Sequence, residues 1–385
     1  MSFKKIEGVL TVTGKELLMI PGPTFLAEST LKAMSRQMIS HRGKETGALL
    51  TSCIERLKKI FRTDNDLFIL TASGTGAMEA AIANITEPGD KILCTTCGKF
   101  SERFKKIAEV FGAEVIEVSS EWGDAVDPEK VKAALEEHED IKAVTVTHNE
   151  TSTGVKNPVE EIARIVKDYG ALLIVDAISS MGGDYIPVDK WKIDFCLAGS
   201  QKCFAIPPGF SFISVSDEAW EVIHRTKRRA FYFDLVSYKK SLEKSPPQTP
   251  YTICLTLLYA LDDALNLMFE EGLDNVIARH HRLAKLTREG IKKMGLELFP
   301  VREEICSVTV TAVKMPKGIK DQELRQKVRE HGVVISGGQD KLTGEIFRIG
   351  HMGRVTEQEI NITLNAIRQA LIELNFPLKE VLLER

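Results

Sequence analysis

Between residues 67 and 213, short apolar runs recur along the chain, with longer stretches between them whose apolar positions fall at helical spacing. Leu67-Phe68-Ile69-Leu70, Lys91-Ile92-Leu93-Cys94, Val115-Ile116-Glu117-Val118 and Ala143-Val144-Thr145-Val146 read as buried strands. Leu172-Leu173-Ile174-Val175, Phe195-Cys196-Leu197-Ala198 and Phe210-Ser211-Phe212-Ile213 continue the series. Helical patterns such as 128–137 and 159–169 separate most of them. Strands alternating with helices predict an α/β fold, a mostly parallel sheet between layers of helices. In such sheets ligands bind beyond the carboxyl ends of the strands.

After Pro250 the pattern changes. One long helical stretch covers about 254–294, followed by a strand-like Ser307-Val308-Thr309-Val310-Thr311 and a helix near 322–331. Val333-Val334-Ile335 and Ile346-Phe347-Arg348-Ile349 read as further strands, and 357–374 as a terminal helix. These elements predict a large domain over 16–255 and a smaller α+β C-terminal domain over 256–385, which the N-terminal segment 1–15 joins. No internal repeat or low-complexity segment is visible.

With 385 residues the chain is long enough for two such domains. Its formal charge of −3 gives no reason to expect nucleic acid or an acidic membrane as partner. The basic run His224-Arg225-Thr226-Lys227-Arg228-Arg229 reads as a solvated helix end. No apolar stretch approaches the ~20 residues that cross a bilayer, and Met1-Ser2-Phe3-Lys4-Lys5 leads into no signal-peptide core. Seven scattered cysteines fit free thiols in a cytoplasmic protein. Cys94-Thr95-Thr96-Cys97 has no second pair to complete a metal or cluster site, so no metal is expected.

Two strand ends carry the chemistry. Asp176 closes the run Ala171-Leu172-Leu173-Ile174-Val175, and Lys202 ends Gly199-Ser200-Gln201-Lys202. A lysine that can condense with an aldehyde, and an acid that can keep a pyridine nitrogen protonated, are what pyridoxal 5'-phosphate (PLP) needs. Taken singly, Asp176 could as well cap a helix and Lys202 be a surface lysine. A third feature joins them: the strand at 67–70 runs into Ala72-Ser73-Gly74-Thr75-Gly76-Ala77 and then a helix. Glycines there let the backbone approach a phosphate, and the helix start offers free N–H groups. The competing dinucleotide fingerprint fails at position 79, which is Glu where that pattern has Gly or Ala.

With these residues assembled, the chain resembles the class V aminotransferases of the fold type I PLP enzymes. Within that family it is similar to alanine–glyoxylate and serine–pyruvate aminotransferases, and still more to the archaeal broad-specificity aspartate/phosphoserine aminotransferases of methanogens. The resemblance rests on Pro21-Gly22-Pro23, Ser73-Gly74-Thr75, His148-Asn149-Glu150-Thr151-Ser152-Thr153-Gly154 and Val175-Asp176-Ala177. It continues through Gly199-Ser200-Gln201-Lys202, Pro207-Pro208-Gly209, Gln248-Thr249-Pro250-Tyr251-Thr252 and Phe347-Arg348-Ile349-Gly350.

The resemblance implies Lys202 as the Schiff-base lysine and Asp176 as partner of the pyridine nitrogen. It places Ser73, Gly74, Thr75, Gln201 and Ser200 at the phosphate, Thr151 at the phenolic oxygen, and Phe100 against the ring, where the family often has Trp. Thr252 or Thr249 would reach the phosphate in a neighbouring subunit, implying a homodimer with shared active sites. The family's proline after that threonine is Ile253-Cys254 beyond Thr252 but Pro250 beyond Thr249, so both stay open. Gly22 and Arg348 would face the substrate, the arginine fork matching its α-carboxylate.

The reaction so implied is a ping-pong exchange of an amino group between an amino acid and a 2-oxo acid. His41-Arg42 resembles the segment by which phosphoserine aminotransferases hold a distal phosphate, which favours aspartate, phosphoserine or glutamate as donor. An arginine that merely satisfies loop carbonyls would leave alanine–glyoxylate or serine–pyruvate transamination as the alternative. Cysteine desulfurases share the pattern, but Phe100 stands at their stacking-histidine position and Cys306 lies beside a strand rather than in a Gly/Ser-rich loop. Relatives labelled as soluble-hydrogenase subunits suggest a redox role, against which the scattered cysteines count.

Overall fold

The computed structural model describes residues 16–227 and 230–378. Arg228 and Arg229 of the basic run, the segment 1–15 assigned to the small domain, and 379–385 lie outside the described residues.

The apolar runs assemble into one seven-stranded sheet. Its order is Asp66–Leu70, Ser211–Val215, Phe195–Gly199, Leu172–Asp176, Ile141–Thr147, Lys91–Thr96 and Glu114–Ser119. Ser211–Val215 is antiparallel to both neighbours, and every other pairing is parallel. Alternate residues feed opposite cores. Leu67, Ile69, Val144, Val146, Leu173 and Val175 pack on one face, and Phe68, Leu70, Ala143, Leu172 and Ile174 on the other. A sheet covered on both faces needs nearly continuous apolar strands, which is why the runs carry so few polar residues. Each fully buried Leu, Ile or Phe stabilises by roughly 1.5–3 kcal/mol.

Four expectations are corrected. The strand containing Val115 and Ile116 is not buried: it is the sheet edge, where Val118 alone is fully covered. The long stretch 254–294 is two helices, Leu255–Glu271 and Leu273–Lys293, because Gly272 between them has φ +88°, which a helix cannot accommodate. The strand-like 307–311 begins later, at Val310–Lys314. Before it, the Ser307 hydroxyl takes the N–H groups of Thr309 and Val310, both at 3.1 Å, and turns the chain.

The fourth correction concerns the domain boundary. Helix Leu255–Glu271 begins at the expected break, but Leu258, Leu261, Leu265 and Met268 are buried in the large core. Packing changes within the next helix, where Val276 belongs to the large core and Leu283 to the small one. Leu17–Leu18 pairs in parallel with Val333–Val334, and Met19 is buried in the same core as Leu283 and Phe347, although sequence alone grouped these residues with the large sheet. A second, three-stranded sheet, Val310–Lys314, Ile346–Gly350 and Ser336–Gly337, places Arg348 on its central strand.

Candidate active site

Parallel strands put their carboxyl ends along one edge of the sheet, and Asp176 and the turn that leads to Lys202 lie there. Thr147 pairs with Asp176, and Asp176 with Leu197, two residues short of the Gly199 turn that leads to Lys202. Asp176 is 4% exposed. One carboxylate oxygen accepts the Ile178 N–H at 2.9 Å, and among the described residues the other has no hydrogen-bond partner. Burial, with the Glu150 carboxylate adding to it, pushes its pKa up to about 7 against the pull of Ile178, Lys202 and Arg103.

Lys202 lies across from Gly22. Its ammonium donates to the Pro21 carbonyl, and a Cβ on Gly22 would come within 2.7–3.0 Å of the lysine side chain. Gly22 also has φ +97°, a backbone conformation that favours glycine there. Burial pushes the lysine's pKa down to about 8, with Arg348 and Arg103 also lowering it against Cys203 and Asp176. The shift raises the neutral fraction of the amine near pH 7 far above that of an ordinary lysine, which helps a nucleophilic or basic amine.

At the end of strand Asp66–Leu70, Ser73 stands just before helix Gly74–Ile85 and leaves the helix's first N–H groups without a side-chain cap. Gly74 is required by contact, because a Cβ there would lie 2.6 Å from Ile178 Cδ1. The Gln201 Oε1 atom is buried without a hydrogen-bond partner. Ser200 departs from expectation. Its hydroxyl is buried, donates to the Pro207 carbonyl at 2.7 Å and accepts the Phe210 N–H at 3.2 Å. It therefore shapes the turn after the strand and offers nothing to a phosphate.

Phe100 opens helix Lys99–Val110, whose N-terminus is anchored by Glu150. The fully buried Glu150 carboxylate takes the N–H groups of Phe100 (3.0 Å), Ser101 (2.9 Å) and Ser152 (3.1 Å), with both serine hydroxyls. Burial raises its pKa, and these donors oppose the rise. Sequence reasoning missed Glu150, and also Arg103, three residues beyond Phe100 on the same helix face. Arg103 donates to the Thr75 hydroxyl at 3.0 Å, and its guanidinium lies 4.8 Å from the Phe100 ring centre. The three-residue spacing was the available signal.

Arg348 is 5% exposed and has no acidic partner within the described residues. It donates through Nε and Nη2 to the Gly337 carbonyl (3.0 and 2.8 Å) and through Nη1 to the Thr151 carbonyl (3.0 Å). Burial lowers its pKa to about 10, with Glu150 acting against the shift. Thr151, also buried, is thereby tied to the arginine.

The remaining candidates form a separate patch. Arg42 is exposed and donates to the Gln248 side chain, so the His41-Arg42 turn is held against the segment with Thr249 and Thr252. None of these four hydrogen-bonds to Lys202, Asp176 or Arg348 in the described chain. The Thr249 hydroxyl donates to the Tyr251 carbonyl at 2.6 Å, whereas Thr252 is exposed.

A model of the family "Aminotransferase class-V" matches residues 24–360. The chain belongs to the class V aminotransferases. This aminotransferase is 52% identical over 368 residues to an uncharacterized aminotransferase of Methanocaldococcus jannaschii, covering 95% of each chain. It is 35% identical to a serine–glyoxylate aminotransferase of Arabidopsis thaliana (94% of this chain, 92% of the relative). Its identity to an L-aspartate–glyoxylate aminotransferase of Paracoccus denitrificans is 32% (96% and 94%). The fold superposes on the ureidoglycine–glyoxylate aminotransferase of Bacillus subtilis with a TM-score of 0.90, 30% identity and coverage of 97% and 96%.

Class V aminotransferases of this fold depend on PLP, and the aminotransferase's residues fit it. The buried Asp176 carboxylate has an unused oxygen and no ion pair, which a protonated ring nitrogen would supply. The uncapped helix start at Ser73–Gly74, with its free N–H donors, suits an anionic end group. Thiol chemistry fits poorly. Burial pushes Cys306 up to about 11 and both Cys94 and Cys97 up to about 12, where thiolate is scarce.

Proposed function

We propose that this aminotransferase uses PLP, held by Lys202 and Asp176, to move the amino group of an amino acid to a 2-oxo acid. The observation that carries the reading is the pair itself. A buried amine shifted to about 8 and a buried carboxylate shifted to about 7 lie at neighbouring strand ends.

Bound PLP supplies an electron sink for the substrate's α-carbon. Asp176 keeps a proton on the ring nitrogen, and Phe100 covers the ring. Lys202 Nζ takes the α-proton as general base, its lowered pKa leaving it neutral enough to do so. Arg348 receives the α-carboxylate, exchanging neutral carbonyl partners for a charged one. Ser73, Gly74, Thr75 and Gln201 hold the phosphate, and Thr151 the phenolic oxygen.

We infer that the working unit is a homodimer in the cytoplasm. Thr252, exposed and four residues beyond Gln248 in the chain, is the threonine that serves a second copy's phosphate, because the Thr249 hydroxyl is already engaged. His41 and Arg42 travel with the same patch, and Arg42 would serve the second copy's substrate rather than its own.

On this arrangement the donor is dianionic: aspartate, phosphoserine or glutamate. The relative that acts on aspartate supports this reading. A second reading, serine or alanine with glyoxylate, is favoured by the serine–glyoxylate relative and by the engagement of Arg42 with Gln248. Following cofactor absorbance of the PLP-loaded protein with each amino acid separately, and again in Arg42→Ala, decides between them. Rapid conversion by aspartate or phosphoserine that Arg42→Ala loses supports the first reading. Conversion by serine or alanine, indifferent to Arg42, supports the second.

A further inference from the structure

We infer that Arg103 is the cation of the cofactor's phosphate site, a ligand that pairs with the phosphate charge across the Thr75 end of the loop. This rests on the PLP reading above and adds a residue to it. The starting observation is a charge imbalance. A phosphate monoester carries about −1.5 to −2 at pH 7, yet Ser73, Gly74, Thr75, Gln201, Thr249 and Thr252 are all uncharged. Lys202 is no substitute, because the proposed chemistry assigns it to the cofactor's aldehyde end rather than its phosphate. Helix N–H groups supply a partial charge of roughly +0.5, which leaves much of the dianion uncompensated.

Arg103 is placed to close that gap. It is half-buried, and its Nη1 donates to the hydroxyl of Thr75, the second residue of the helix that begins at Gly74. The Phe100 ring, 4.8 Å from the guanidinium carbon, holds it from the side by a cation–π contact. Among the described residues the guanidinium has no acidic partner, and the Thr75 hydroxyl is its single hydrogen-bond acceptor. An arginine fixed at two points with most of its donors unassigned is preorganised for an anion. Arg103 also lowers the pKa of both Asp176 and Lys202, so its charge is felt across the site. Glu150 sets its position indirectly, by anchoring the helix that carries it.

The competing role for the same arginine is the distal anion of a dianionic substrate. The two separate in binding experiments that need no turnover. Apo protein is titrated with PLP and with pyridoxal, which has the same ring and aldehyde but no phosphate, and binding is read from absorbance and fluorescence. In Arg103→Gln, PLP affinity should fall by about 10- to 100-fold, the loss of one charge-assisted contact, while pyridoxal affinity stays within about twofold. Arg103→Lys, which keeps the charge but not the fork, should lie between wild type and Arg103→Gln, and tests the role should the glutamine variant not fold. Equal losses for PLP and pyridoxal, or no loss for either, would overturn the assignment. Failure of wild-type protein to bind PLP at all would instead remove the PLP reading on which it rests.

Discussion

The Glu150 carboxylate takes both the backbone N–H and the hydroxyl of Ser101, at 2.9 and 3.2 Å, across 49 positions of sequence. This contact fixes the start of the helix bearing Phe100 and Arg103 to the loop bearing Thr151, whose carbonyl receives Arg348. Removing the carboxylate strands several buried donors, each costing about 1–3 kcal/mol. Glu150→Ala should therefore lower unfolding free energy by about 3 kcal/mol or more in chemical denaturation. Glu150→Gln, which keeps one acceptor oxygen, should lose less. Equal stability in all three proteins would contradict this role.

Arg348 should serve the substrate and leave the cofactor alone. Arg348→Gln is expected to weaken amino-acid binding in the half-reaction by roughly 10- to 100-fold, with PLP affinity and absorbance unchanged. Stopped-flow measurement of apparent affinity for the amino donor provides the check.

Asp176 should make the apo protein's stability depend on pH in a definite direction. Its folded pKa, raised to about 7, lies above the unfolded carboxylate value. Its contribution is fully present below about pH 4 and is lost as pH rises toward 7. Relative to Asp176→Asn, apo wild type should lose about 2–4 kcal/mol between pH 4 and 7. Denaturation midpoints of both proteins across that range test the sign. A constant difference would show that the carboxyl titrates normally.

The two threonines should separate cleanly. Thr252→Val should weaken PLP binding roughly tenfold, through a contact to a second copy worth about one hydrogen bond to a charged group. Thr249→Val should alter local stability by about 1 kcal/mol, because its hydroxyl serves Tyr251. Titration of each apo variant with PLP distinguishes them.

The parts of this fold legible in the sequence are those where local pattern and burial agree. Strands such as Leu172–Asp176 are covered on both faces, so apolar continuity marks them, and the parallel arrangement then brings Asp176 and the Lys202 turn to one edge. Helix Pro128–Glu137 is bounded as its pattern predicts, with Asp127 capping Glu129 and Pro128 in the first turn. What the sequence hid depends on contacts far along the chain. Ser200 looks like a phosphate ligand until Pro207 and Phe210 claim its hydroxyl. Leu17–Leu18 becomes a strand only through a partner more than 300 residues away. Glu150 reads as one more polar loop residue until the fold closes five donors around it. The break at Gly272 was readable, since a glycine between two apolar helical patterns signals a stop.

The most direct test of the account is the identity of the lysine that captures the cofactor. Apo protein is mixed with PLP, reduced with borohydride and digested, and the pyridoxyl-bearing peptide is located by mass spectrometry. A single label on Lys202, absent from Lys202→Ala along with the absorbance change on adding PLP, is the predicted result. A label on a different lysine, or an unaltered absorbance change in Lys202→Ala, would contradict the proposed site.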